Sequence, residues 1–118
     1  MAYDTHNIFA KILRGEIPNN TIYEDDFVLA FHDISPVRKI HALVIPKGAY
    51  TDYTDFIMHA PPDAIIGFHN GVLKTVEKLG IKRKGYRIIS NIGTHGQQEV
   101  PHLHYHILGG ETIGKLVE

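Results

Sequence analysis

Pro101-His102-Leu103-His104-Tyr105-His106-Ile107-Leu108-Gly109-Gly110 is the stretch that decides how this chain is read. Histidine and apolar residues alternate through it with period two, the mark of a half-buried β-strand. Residues i, i+2 and i+4 of a strand share a face. His102, His104 and His106 are therefore expected on one side, with Leu103, Tyr105 and Ile107 on the core side. Pro101 suits the start of a strand and Gly109-Gly110 its end. Three imidazoles spaced roughly 6–7 Å apart repel one another when charged, so at least one is expected to be neutral near pH 7. A neutral imidazole is a nucleophile, a general base or a metal ligand. The row calls for an anion or a metal in front of it.

Outward from this strand, Gly93-Thr94-His95-Gly96-Gln97-Gln98-Glu99 is a polar, glycine-bearing loop that feeds it, and residues 86–91 read as the preceding strand. Pro61-Pro62-Asp63 announces a long helix ending near Leu79 and stopped by Gly80. Ile65, His69, Val72, Val76 and Leu79 follow the spacing of a buried stripe. Gly71 inside that helix costs ~1 kcal/mol relative to Ala, which a close approach to a sheet would explain. Further back, residues 41–46, 27–32 and 21–24 read as strands. Residues 48–60 read as irregular, with a helical turn around 55–58. A short helix over 8–14 is capped by Thr5 or Asn7 and closed by Gly15. Five strands, two helices and hairpin-length connections give an α+β class: an antiparallel sheet with helices on one face.

The chain has 118 residues, 43% of them hydrophobic, a net charge of -1, nine histidines and no cysteine. This length suits a single domain over residues 1–118, with a modest core that pairing with a second copy would help. The charge makes no case for nucleic acid or for an anionic membrane surface. Without cysteine there are no disulfides or thiolate metal sites, in keeping with a reducing compartment, and a cytoplasmic location is expected. Met1-Ala2-Tyr3-Asp4 lacks the basic start of a secretory leader, and no apolar run reaches membrane-spanning length.

Two chemistries fit the histidine row. In the first, a neutral imidazole Nε2 attacks phosphorus and carries the transferred group before water removes it. The flanking rings then steady the non-bridging oxygens, and His104 is best placed to be flanked on both sides. In the second, His102 and His104 hold zinc, with His41 or His106 as a third ligand.

His102-x-His104-x-His106 followed by Ile107-Leu108 resembles the signature of the histidine triad (HIT) superfamily, most closely its Hint branch. Ile8-Phe9, Glu16-Ile17-Pro18, Glu24-Asp25-Asp26, Ala30-Phe31-His32-Asp33-Ile34-Ser35-Pro36, Leu43-Val44-Ile45-Pro46-Lys47, Gly85-Tyr86-Arg87, Asn91-x-Gly93 and Leu108-Gly109-Gly110 match in the same order. The resemblance implies a homodimer in which two five-stranded sheets join into one. It implies binding of purine nucleoside monophosphates, and hydrolysis of nucleoside 5′-phosphoramidates through a nucleotidyl-histidine, with no cofactor and no resident metal. By the same resemblance His104 is the nucleophile, the His102 carbonyl accepts from its ring, and His41 is a fourth supporting histidine. His106 and Asn91 contact phosphate, Asp33 holds the ribose hydroxyls, Phe9, Ile17, Phe31 and Ile34 wall the base pocket with His32 between them, and Gln98 lies beside the phosphate. Glu99 stands where eukaryotic members carry a phosphate-touching serine, and the tail lacks the tryptophan of the animal proteins. A dinucleoside polyphosphate hydrolase and a zinc- or nucleotide-binding module without catalysis are the alternatives. Asn91 and Gly109-Gly110 favour the Hint branch over the former.

Overall fold

The computed structural model describes residues 2–117. In chain order they form α1 (Ile8–Leu13), β1 (Thr21–Glu24), β2 (Val28–His32), β3 (Ile40–Pro46), α2 (Tyr53–His59), α3 (Pro62–Leu79), β4 (Arg87–Ile89) and β5 (Tyr105–Gly109). The strands make one antiparallel sheet in the order β1-β2-β3-β5-β4. The five-stranded α+β reading holds, with three helices rather than two. The segment expected to be irregular contains α2, capped by the Asp52 carboxylate on the Asp55 N–H at 2.8 Å.

The helices do not share one face of the sheet. Val28 and Ala30 of β2 and Ala42 and Val44 of β3 pack with Phe56, Phe68, Val72 and Val76 beneath α2 and α3. Their alternate neighbours Leu29, Phe31, Leu43 and Ile45 pack with Phe9 and Ile12 of α1 on the other side. Central strands covered on both faces have unbroken apolar sequences, as 28–31 and 42–45 do. α1 is short, but the Asn7 side chain accepts from the Ala10 N–H at 2.9 Å and starts it. Between Asn7 and Thr5, the cap is Asn7.

α3 lies close on the sheet. A methyl group at Gly71 would overlap the Val28 side chain, and one at Gly67 the ring of Phe27. This close approach accounts for glycine inside a helix. Phe68, Val72, Thr75 and Val76 form the buried stripe, whereas His69, expected within it, is exposed. Pro62 opens the helix at its first turn, and Gly80 closes it at φ +72°.

β5 begins at Tyr105, so of the three histidines only His106 lies in the strand. Residues 102–104 run up to it as irregular backbone. The alternation nevertheless persists. Leu103, Tyr105 and Ile107 pack on the α3 side. His102 and His104 meet Phe9 of α1 on the other, with ring centroids 6.4 and 4.9 Å away. The strand was expected to be half-buried; α1 covers its histidine face too, and His102 and His104 are both buried.

Candidate active site

Each histidine's proton can be assigned from its partners. The His104 Nδ1 lies 2.7 Å from the carbonyl oxygen of His102. A carbonyl only accepts, so Nδ1 carries the proton, and in the neutral ring Nε2 keeps a bare lone pair. The His104 carbonyl in turn accepts from the Ser90 hydroxyl at 3.1 Å, which holds the backbone that carries the ring.

His41 and His106 form a second relay. The Val37 N–H donates to His41 Nδ1 at 3.2 Å, so the neutral His41 ring has its proton on Nε2. That Nε2 lies 2.9 Å from His106 Nδ1 and 3.3 Å from an Asp33 carboxylate oxygen, and donates to them. With Nδ1 accepting, His106 carries its own proton on Nε2 and presents a donor. One backbone amide thus fixes two rings in sequence: His106 offers N–H while His104 offers a lone pair.

His102 plays no such outward part. Its Nε2 lies 2.9 Å from the Pro46 carbonyl oxygen and its Nδ1 2.5 Å from the Tyr3 hydroxyl. Nε2 donates, Nδ1 accepts from the phenol, and Asn7 donates to the same phenol oxygen at 2.9 Å. His102 therefore meets the site through its carbonyl, which holds the His104 ring.

Burial is the main reason these rings stay neutral. It pushes His102 and His106 down to about 4, with the neighbouring His104 adding to the effect in both, and His41 adding to it at His106. Burial also lowers His104, opposed by its hydrogen bond to His102 and by the charges of Asp33 and Glu99. His41 is lowered likewise, opposed by Asp33. Mutual repulsion, the expected cause, is secondary to desolvation.

A cavity of about 480 Å³ opens in front of His104 and His106. Phe9, Ile17, Phe31, His32, Asp33, Ile34, Asn91 and Glu99, the residues that the resemblance points to, line it. Phe9 and Phe31 are also core residues, whereas Ile34 is 95% exposed and serves only as a wall. Asp33 does double duty: one oxygen accepts from the Ser35 N–H at 2.8 Å and shapes the turn, and the other faces His41.

Gln98 departs from expectation. Its amide donates to the carbonyls of Thr51 and Val100 at 2.7 and 3.0 Å and accepts from the Gly93 N–H at 3.2 Å. It staples the loop, and Gln97 lines the cavity instead, at φ +58°. Among the described non-glycine residues Gln97 is the one with positive φ. Tyr3, Asn7, Asn19 and Gln97 are site residues that the sequence reading passes over. The positive φ leaves no trace in sequence, and Tyr3 lies 99 residues from its partner.

Zinc held by His41, His102 and His104 does not fit this geometry, because both nitrogens of His102 are engaged. The ligand atoms that do converge, within 4.8 Å, belong to Asp33, His41 and His106. There the Val37 amide keeps a proton on the His41 nitrogen that would have to bind metal.

A family model described as "HIT domain" matches residues 14–113. The purine nucleoside phosphoramidase of Escherichia coli K12 is 42% identical over 118 residues, covering 99% of this chain and 96% of its own. A HIT-like protein of Azospirillum brasilense is 47% identical over 115 residues, covering 98% of this chain and 94% of its own. Among solved structures, a histidine triad protein from Clostridium difficile superposes with a TM-score of 0.84 at 41% identity, covering 97% of this chain and 98% of that one. A HIT family hydrolase from Clostridium thermocellum gives 0.82 at 37% identity, covering 96% and 97%. With a cavity faced by His104 and His106, the fold that carries it and these likenesses along nearly its whole length, the chain belongs to the HIT family.

Proposed function

We propose that this chain is a purine nucleotide-binding hydrolase that cleaves nucleoside 5′-phosphoramidates through a nucleotidyl-His104 intermediate. One observation carries the reading: His104 is tied back through Nδ1 to its own chain and lines the cavity with a bare Nε2. The phosphoramidase name of the Escherichia coli relative supports the choice of bond.

Nε2 attacks phosphorus in line and forms a P–N bond as the bond to the amine breaks. The amine nitrogen takes one proton from solvent, because burial keeps the histidines from carrying a spare one. Water then attacks phosphorus, the electron pair returns to Nε2, and the nucleoside monophosphate leaves with the water's hydroxyl. The water's second proton passes to solvent, so one water is consumed per bond cleaved.

In this reading the His106 Nε2–H and the Asn91 amide, both lining the cavity, donate to the non-bridging oxygens, where preorganised donors strengthen as charge develops. Phe9, Ile17, Phe31 and Ile34 offer flat apolar walls to a base, and the Asp33 carboxylate retains acceptor capacity for a vicinal diol. His104→Ala is expected to abolish turnover of an adenosine phosphoramidate while the circular dichroism spectrum stays native. Turnover at the wild-type rate would exclude the mechanism.

The pairing of two chains belongs to the same reading. β4 is an edge strand, and Ile88 on it and Tyr86 just before it are exposed. Such an edge is a template for another copy. Sedimentation is expected to give a dimer mass.

A further inference from the structure

We propose that Glu99 selects the leaving group by charge, so that the site favours phosphoramidates of amines bearing a second, positive group and turns away polyphosphates. This rests on the hydrolase reading above and names the substrate class within it.

The argument starts from the charges around the cavity. Among its lining residues Asp33 and Glu99 are the carboxylates, and no Lys or Arg is present. The triad supplies no positive charge in their place, since burial holds its rings neutral. A site made for a chain of phosphates needs cations along it. This one holds a single phosphoryl group by neutral donors and offers net negative charge beyond.

The two carboxylates come from different elements, Asp33 from just after β2 and Glu99 from the loop before β5. Asp33 clusters with His41 and His106, its oxygen 3.3 Å from His41 Nε2, and is partly satisfied by the Ser35 N–H. Glu99 sits on the loop entering β5. It lines the cavity but lies outside the cluster within 4.8 Å that Asp33 forms with His41 and His106. Among the described residues Glu99 makes no ion pair and no side-chain hydrogen bond. With the nucleoside at the Asp33 end, the departing amine lies toward Glu99. An exposed carboxylate with no cation of its own there attracts a cationic substituent and repels an anionic one.

The test uses adenosine 5′-phosphoramidates of three matched amines: 1,4-diaminobutane, butylamine and 4-aminobutyrate. Their free ends carry positive, no and negative charge. For the wild type, kcat/KM is expected to fall in that order by roughly fivefold per step, the scale of an exposed charge pair, and the steps should shrink in high salt. Glu99→Gln is expected to compress the ratios to under about twofold whatever its absolute rate, and Glu99→Lys to reverse the order. A diadenosine polyphosphate should rank below the 4-aminobutyrate compound in the wild type. Equal rates across the series, or the same ranking in Glu99→Gln, overturn the proposal and leave the hydrolase reading standing. No turnover of any of the three overturns both.

Discussion

The chemistry at residue scale depends on which nitrogen of each ring holds a proton, and three backbone groups decide it: the His102 carbonyl, the Val37 amide and the Pro46 carbonyl. Since the attacking form of His104 is neutral and burial lowers its pKa from 6.5, the sign of the pH effect is fixed. Protonation competes only below pH 6.5, so on the acid side kcat/KM is expected to stay level down to that pH and decline beneath it. A decline centred above 6.5 would contradict the burial argument. Tyr3→Phe removes the donor to a nitrogen of the fully buried His102 and should cost about 1–3 kcal/mol in urea unfolding, the penalty of an unsatisfied buried group. At this scale the sequence shows the triad but not its lock. His102 is bound by residues 99 and 56 positions away, and no local pattern connects them.

The histidines are steered by the elements that carry them. β3 brings His41 beside β5, with Leu43 opposite His106, which puts His41 and His106 within one hydrogen bond. α1 adds Phe9 against the ring of His104, with centroids 4.9 Å apart. Strands β1, β2 and β3 were legible to within a residue, because their apolar runs are bounded by turn residues. α2 was obscure because only Phe56 of its seven residues is buried, too little to show a helical period. The placement of α1 opposite α3 was not read, since the helices were expected on one face; the continuous apolar runs of β2 and β3 signal that both faces are covered, but not by which helix. Gly71→Ala tests the close packing of α3. Helix propensity alone would stabilise it by about 1 kcal/mol, but overlap with Val28, costing roughly 1–3 kcal/mol, should leave a net loss of up to about 2 kcal/mol by thermal or urea unfolding. A stabilised variant would show that the helix can shift freely on the sheet.

For the molecule as a whole, packing both faces of a five-stranded sheet is what buries His41, His102 and His104, and half-buries His106, as neutral rings. In the unfolded chain each takes up a proton near its ordinary pKa of 6.5, whereas His102 and His106 in the folded chain wait until about 4. The unfolded state therefore binds more protons between those values. The contribution of these rings is complete above pH 6.5 and is lost as pH falls toward 4, by up to about 1.4 kcal/mol per unit for a wholly buried ring. Urea midpoints measured from pH 7.5 to 4.5 should drop accordingly, and a flat profile would show that the rings are charged in the native state. Among the described residues no helix is long and apolar enough to cross a membrane. The order of the family motifs made the sheet legible from sequence, whereas the charge around the cavity emerges only when Asp33 and Glu99, 66 positions apart in the chain, are seen to line the same space. The most direct measurement is to mix the protein with an adenosine phosphoramidate labelled at phosphorus, quench in alkali during turnover, and map the label by peptide. The label is expected on the peptide bearing His104 and within it on His104, and it should vanish in His104→Ala. Label on another histidine, or steady turnover by His104→Ala, would contradict the account.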